Sequence, residues 1–495
     1  MLGGLDWAVI AFYFAVIAGI GIWAGRKGKT TEDFFLGGRR MPWTTAMLSL
    51  LATEASAVTF IGAPGDSFVG NMWYAQMAIG SLVARIIVAT IFLSAFYKFR
   101  VTTVYEFLKH RFGEATRGTG AAFFIVTRLL ASGVRLCVMA KVLAVVVKGI
   151  DFPMALALVA TVAVAYTFFG GIRAVMWTDV VQFVIFIGGA WLAFGLLLSK
   201  IDGGWSGMID AARNAVTSEG EAIDKTRIFD FSFSFTSRTV FWAAVLCGLF
   251  QSMAAFGTDQ DMTQRMLTCR KPSLAKRGLI LTGLIDFPIV FTFLLIGLAL
   301  YALKAQTGFA AGIEDTDRVF PTFIVTYLPM GIKGLMLAAV FAAAMSSLDS
   351  ALSALSTSAV VDLYKVHIKP GASDRHYLVV SRFFVVVFAI ALVLFAWTVK
   401  DIGGVLTLAF KSVSYTYGGL LGVFLLGLLT RRGRNVPNIL AMVSSVGVVI
   451  LLRNVTPVAW HWMIIIGTLW TFGLGAIFRG TGRPGKGLTD EHARG

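Results

Sequence analysis

The sequence predicts an all-α polytopic membrane protein with about 13 transmembrane helices. Three observations carry this. Hydrophobic residues make up 57% of the 495 positions and charged residues 14%, whereas soluble domains carry about 25% charged residues. Apolar runs recur along the whole chain, each close to the roughly 20 residues that a helical crossing needs. Basic residues alternate between successive loops, as the positive-inside rule requires. This composition excludes disorder, an ordinary soluble enzyme and a disulfide-stapled secreted domain. The net charge of +16 follows from basic loops rather than from nucleic-acid binding, so no nucleic-acid partner is expected. Cys137, Cys247 and Cys269 sit in or beside apolar runs without metal-ligand spacing, so neither a disulfide framework nor a zinc site follows.

The first run covers residues 7–24. No Lys or Arg precedes it, and Arg26-Lys27-Gly28-Lys29 follows. A signal peptide has the opposite polarity. A retained helix with its N-terminus outside is therefore expected for residues 1–25. Further runs cover 44–63, 74–97, 119–147, 153–169, 174–199, 238–256, 278–303, 332–360, 377–398, 403–428, 436–452 and 458–478. The longer ones are expected to tilt or to run past the bilayer. Loops assigned to the cytoplasm hold 26 Lys and Arg and the opposite set holds 9. An odd number of crossings leaves the tail, residues 479–495, in the cytoplasm, and a bacterial inner membrane is the expected location.

Charges within spans are expensive and are functional candidates. They are Glu54, Arg85, Arg128, Arg135, Lys141, Asp179, Asp286, Asp349 and Lys411. The span 44–63 carries small residues, hydroxyls and a carboxylate from Ala52 to Thr59, followed by Gly62, Pro64 and Gly65. Leu and Ile are expected on a lipid-facing helix. The glycines and proline are expected to break helical hydrogen bonding, and irregular backbone at membrane depth is tolerated only where it lines a cavity. Such a break frees carbonyls for a cation and amides for an anion. In the span 332–360, Ala343, Ser346 and Ser347 share one helix face. Ser346, Asp349 and Ser350 repeat the pattern one turn on. Two stacked oxygen clusters suit a hard cation.

These residues resemble the sodium:solute symporter family, whose members include sodium/glucose, proline, sialic acid and choline transporters. The likeness runs over about residues 5–478. It includes Asp33-Phe34-Phe35-Leu36-Gly37-Gly38-Arg39, the stretch from Tyr166 to Gln182, Gly257, Gln260, Gln264 and Arg265, and Met345-Ser346-Ser347 through to Asp362-Leu363-Tyr364-Lys365. Several motifs in one order are more specific than a lone match. The resemblance implies a leucine-transporter-type core of two inverted five-helix repeats, residues 44–199 and 238–428. It implies one extra helix before them and two peripheral helices in 436–478. The first helix of the second repeat is expected to break at Phe256-Gly257.

Carried over by position, the resemblance implies a sodium site formed by the carbonyls of Ala52, Ala55 and Ala343 and the hydroxyls of Ser346 and Ser347. A second cation or proton site would use Asp179, Asp349 and Ser350, with Ser346 shared. Asp349 departs from the family, where Ser or Thr is expected, and pairing with Lys141 is one outcome for it. Solute would contact Glu54, Ser56, Thr59, Tyr74, Gln76, Arg135, Phe256 and Lys411. Buried bases favour a carboxylate-bearing solute such as an organic acid, an amino acid or a sialic-acid-like sugar. Glu54 with Lys411 also suits a zwitterion, or a neutralising pair. The expected function is sodium-coupled symport by alternating access, with sodium as coupling ion, no organic cofactor, the bilayer as solvent and a monomer as the working unit. Alternatives are a sodium/sugar symporter, proton coupling through Glu54, Asp179 or Asp349, and a non-transporting sensor. No nucleophile–base constellation points to an enzyme.

Overall fold

The computed structural model describes residues 2–25, 30–147, 149–216 and 220–478. The Arg26-Lys27-Gly28-Lys29 cluster, Lys148 and the expected cytoplasmic tail lie outside the described residues. The chain opens with α1 (Gly4–Gly25) and the short α2 (Thr31–Leu36). A bent pair follows, α3 (Trp43–Glu54) and α4 (Ala57–Val69), with 51° between its halves. Next, α5 (Ala75–Ile87) runs through a π-helical turn at Val88–Phe92 into α6 (Leu93–Lys98), forming one apolar span. Then come α7 (Tyr105–Phe112), α8 (Glu114–Val146) and α9 (Phe152–Leu198). A polar segment contains α10 (Gly204–Arg213) and the small hairpin of β1 (Ala215–Val216) and β2 (Ala222–Ile223).

The second half begins with another bent pair, α11 (Phe241–Gly257) and α12 (Gln260–Leu267), with 58° between them. It continues with α13 (Pro272–Thr307), α14 (Val319–Tyr327) and α15 (Ile332–Ser358), which extends as a π-helix over Ala359–Ile368. The last four helices are α16 (Asp374–Thr398), α17 (Val405–Leu429), α18 (Asn435–Val455) and α19 (His461–Ile477). Among the described residues, nine helices are long and apolar enough to cross a membrane, and each bent pair supplies one more such span. Shorter apolar helices occupy Phe152–Val164 and His461–Ile477.

Two breaks follow from local sequence, and one differs from expectation. In α9, Gly171 adopts φ 56°, ψ −176° and separates the two apolar runs. A side chain is strained at that φ, and a Cβ there would lie 3.1 Å from the Phe34 carbonyl oxygen. α11 ends at Phe256-Gly257, as expected, and the break itself falls on the next two residues, Thr258 and Asp259. The first bent pair breaks at Ala55-Ser56 rather than at Gly62, Pro64 and Gly65, which lie inside α4. The cause is the run of small and hydroxylic residues at 52–57, which gives the helix little side-chain packing to hold it straight. Downstream, α13 presses against α4 and keeps it helical: Ser67 Oγ donates to Leu294 O at 2.9 Å.

Burial sorts the spans. The apolar window of the α15 span is 94% buried, against 22% for α1 and 28% for α16 and α18. The bundle is therefore built around α15, with α1, α16 and α18 at its rim. α19 is more enclosed, because Gly467 meets Gly418 of α17 backbone to backbone. Small residues perform the same service between α5 and α11. A Cβ on Gly80 would stand 2.0 Å from Val245 O, and one on Gly248 would stand 2.3 Å from Met77 O. Gly80→Ala must push the two helices apart, and overpacking of this kind costs about 1–3 kcal/mol. A lowered melting temperature of the purified protein is the expected reading, and an unchanged one would refute the close contact.

Candidate functional site

Both bent pairs point their breaks at one cavity of about 160 Å³. It is bounded by α4, α5, α8, α11, α13 and α17 around the end of α3. Of the residues expected to meet solute, Glu54, Ser56, Thr59, Tyr74, Arg135 and Phe256 line it. Gln76 and Lys411 are not brought to its wall. The Gln76 amide is used inside the protein, donating to Trp73 O at 3.2 Å and Thr239 O at 2.9 Å. On α17 it is Phe410 that faces the cavity, and Lys411, one residue on, is turned away and half-buried. Sequence reasoning missed Arg128, Gln251, Ser252, Asp286 and Tyr417 as lining residues. Arg128 and Asp286 carried a usable signal, a charge within an apolar run. Gln251 and Ser252 sit within α11, about two turns before its break.

The charges around the cavity pair differently from expectation. Glu54 meets Arg85 of α5 rather than Lys411. Arg85 also reaches Asp286 of α13 at 3.3 Å, and its guanidinium lies 4.6 Å from the centre of the Phe256 ring. Arg85 is fully buried behind the two acids, whose side chains retain 25% and 14% of their exposure. Arg128 and Arg135 share a face of α8 but not a fate. Arg128 is held by Asp259 at 2.6 Å and Asp261 at 3.1 Å. Among the described residues, Arg135 Nη1 has no hydrogen-bond partner.

A second centre lies where α3 meets α15. Ser56 N–H, the regular donor to the Ala52 carbonyl in an unbroken helix, donates instead to Glu54 O at 2.9 Å. The break thus turns the carbonyl end of α3 outward. Ser347 Oγ bridges the two helices, donating to Thr53 O at 3.3 Å and Ala343 O at 3.2 Å. Ser346 Oγ is buried beside Asp179 and makes no hydrogen bond of ordinary geometry among the described residues. The expected oxygens of Ala52, Ala55, Ala343, Ser346 and Ser347 thus come from the α3 break and the facing turn of α15.

Deeper along α15, Asp349 Oδ1 accepts from Ser350 N–H at 2.7 Å, and its Oδ2 has no partner among the described residues. Pairing with Lys141 does not occur: that ammonium donates to Ile402 O at 3.2 Å and lies 3.8 Å from Asp315. Asp179 accepts from Ser49 Oγ at 2.5 Å and meets Arg265 at 3.3 Å. Arg265 also holds Asp261 at 2.7 Å. Because Asp261 pairs with Arg128, and Tyr417 Oη donates to Asp259 at 2.6 Å, a buried chain of alternating charges joins Asp179 to the cavity wall. Three of its members, Asp259, Asp261 and Arg265, come from α12 or the turn before it.

Each end of the bundle is finished differently. At the Asp66 end, Arg238 lies 3.4 Å from Asp66, 5.6 Å from the centre of the Trp73 ring and 3.1 Å from Thr407 Oγ1. The Phe410 and Trp460 rings stack there at 5.6 Å. Asp317 accepts from Val405 N–H at 3.2 Å and caps α17, while burial and neighbouring Asp315 push its carboxyl up to about 6. The opposite end holds an open vestibule of about 1250 Å³ whose walls include Arg39, Lys98, Arg100, Arg117, Arg270 and Lys365. Two bent spans converge on a central cavity, with a carbonyl-and-hydroxyl cluster beside it.

A sequence model of the Sodium:solute symporter family matches residues 34–443. The chain belongs to the sodium:solute symporter family. It is similar to the sodium/sialic acid symporter SiaT of Proteus mirabilis, 29% identical over 98% of this chain and 97% of that one. It is also similar to the human sodium-coupled monocarboxylate transporter 1, 28% identical over 89% of this chain and 72% of that one. Other relatives are named for glucose and iodide. A solved structure of a sodium-coupled sialic acid symporter, substrate-bound and outward-open, superimposes with a TM-score of 0.87. It is 27% identical and covers 96% of this chain and 97% of that chain. The fold is thus the leucine-transporter type, and the protein is a multi-pass membrane transporter whose family couples solute to sodium. The relatives are named as symporters and transporters, not as enzymes.

Proposed function

We propose that this symporter imports a small carboxylate-bearing solute together with sodium by alternating access. The observation that carries the reading is Arg135 Nη1, a guanidinium nitrogen on the cavity wall that has no hydrogen-bond partner among the described residues. A buried cation is costly unless paired, and a carboxylate is its natural bidentate partner. The sodium/sialic acid and monocarboxylate relatives agree in ligand chemistry. A cavity of about 160 Å³ is below the roughly 300–1,000 Å³ of drug-sized sites, which favours a small acid over a bulky sugar acid. Ser56, Thr59, Tyr74 and Phe256 shape the rest of the pocket.

Sodium occupies the oxygens of Ala52, Ala55, Ala343, Ser346 and Ser347 in this reading. Its support is the Ser347 bridge, the displaced Ser56 N–H and the unsatisfied Ser346 hydroxyl. Asp179, Asp349 and Ser350 form a second cation site, supported by the free Asp349 oxygen. The repeats span 44–199 and 238–428, and 13 crossings put the N-terminus outside and the basic vestibule in the cytoplasm. The chain works as a monomer in the bilayer. The test is uptake into proteoliposomes under an inward sodium gradient, with potassium as control. Accumulation of a small carboxylate that collapses in potassium is expected. Equal accumulation in potassium, or uptake of sugars but no acid, would overturn the reading.

A further inference from the structure

We infer that the cavity has a second, acidic subsite for a protonated amine, built from Glu54 and Asp286 on a buried Arg85, so that the preferred solute is a zwitterion. The inference rests on the carboxylate reading of Arg135 and extends it to the other end of the pocket.

Three observations lead there. First, Glu54 and Asp286 both line the cavity, and both meet the same nitrogen of Arg85, Nη2. Arg85 is itself fully enclosed behind them and stacked on Phe256. It cannot reach a solute, so the acids alone face the cavity. Second, two acids on this wall share one guanidinium. Glu54 Oε2 has no hydrogen-bond partner among the described residues. A merely structural pair would be expected to balance and to satisfy its oxygens. Third, the unpartnered Arg135 lies near enough to Glu54 for their charges to interact, yet forms no ion pair with it. Among the described residues, one small cavity therefore presents a guanidinium group with an unpartnered nitrogen and a carboxyl oxygen without a partner.

Neutral solutes satisfy neither end. A simple carboxylate satisfies Arg135 and brings its own hydrocarbon against bare carboxylate oxygens. A molecule with both a carboxylate and an ammonium completes both ends, donating N–H bonds to Glu54 and Asp286 in place of water. Arg85 has a defined part in this: it holds the two acids together, so that their mutual repulsion does not splay them before the amine arrives.

The experiment uses the purified full chain in sodium. Glycine, β-alanine and γ-aminobutyrate are compared with acetate, propionate and butyrate by equilibrium binding and by thermal shift. An amino acid of one chain length is expected to bind at least about tenfold tighter than its deaminated partner, the lower end of what leaving buried charged groups unpaired costs. In Asp286→Asn and Glu54→Gln that ratio is expected to fall toward one. Arg135→Gln is expected to weaken both members of the pair. The wild-type ratio needs no variant, so a variant that fails to fold does not remove the test. Deaminated acids that bind as tightly as the amino acids would overturn this inference and leave the carboxylate reading standing. Failure of both series, with binding of sugars instead, would overturn both.

Discussion

The double substitution Ser346→Ala, Ser347→Ala is expected to abolish sodium-stimulated uptake while leaving the protein folded. Both hydroxyls lie on the enclosed face of α15 that meets the broken end of α3. Neither is needed for the helix itself, since alanine is the better helix former. Ser347 Oγ makes two bonds to carbonyls, each long at 3.2–3.3 Å, so their loss costs little stability. For a bound cation the balance differs. A hydrogen bond or dipole contact to a charged group is worth about 1.5–3 kcal/mol, so removal of one hydroxyl lowers sodium affinity about tenfold or more. Linkage then requires solute affinity to lose the same sodium dependence. The measurement is a sodium titration of the melting temperature alongside uptake. Retained sodium-dependent uptake in the double variant would remove these serines from the site. Ser350→Ala separates the two proposed cation sites: it is expected to change the steepness of the sodium response rather than to eliminate it.

Much of the architecture was legible because the bilayer enforces it. A chain that crosses hydrocarbon must satisfy its own backbone, so each crossing leaves an apolar run and each break a run of small residues. That the first core span is broken, and that α11 ends at Phe256-Gly257, were visible for this reason. The position of the first break was misread. Pro64 and Gly65 look like breakers in one dimension, but packing of α13 on α4 holds them helical. On the first core segment, Glu54, Ser56 and Thr59 were legible as a cavity wall because the residue types depart so strongly from a lipid-facing helix. Pairing was not legible. Arg128 and Arg135 sit seven residues apart on one face, and the acids at the α11–α12 break pair with Arg128 and, among the described residues, leave Arg135 without an ion pair. Asp286 meets Arg85 across 201 positions, a separation that no local pattern reports. Gln76 was expected to meet solute by its matching position in the family, yet the segment before α11 supplies its acceptor.

Arg265→Gln is expected to cost about 3–5 kcal/mol of stability, the usual consequence of removing one member of a buried ion pair. Arg265 is fully buried and is the cation between Asp179 and Asp261. Without it Asp179 loses its only ion pair among the described residues, and Asp261 is left with Arg128 alone. Glutamine keeps a donor for one carboxylate but not the charge. A second consequence concerns transport. Arg265 sits on α12, beyond the α11–α12 break, and through Asp261 it connects the Asp179 side of the bundle to Arg128 on the cavity wall. The same residues thus contact both proposed binding regions, which is the physical condition for one ligand to alter affinity for the other. In Arg265→Gln, sodium is expected to raise solute affinity by a smaller factor than in the parent protein, measured as the ratio of solute affinities in sodium and potassium. Under excess sodium, which stabilises any state that binds it, part of the lost melting temperature returns. A variant with unchanged stability would show that the ion pairs carry no weight in the fold. A destabilised variant with an unchanged affinity ratio would show that α12 supports the bundle without transmitting the coupling.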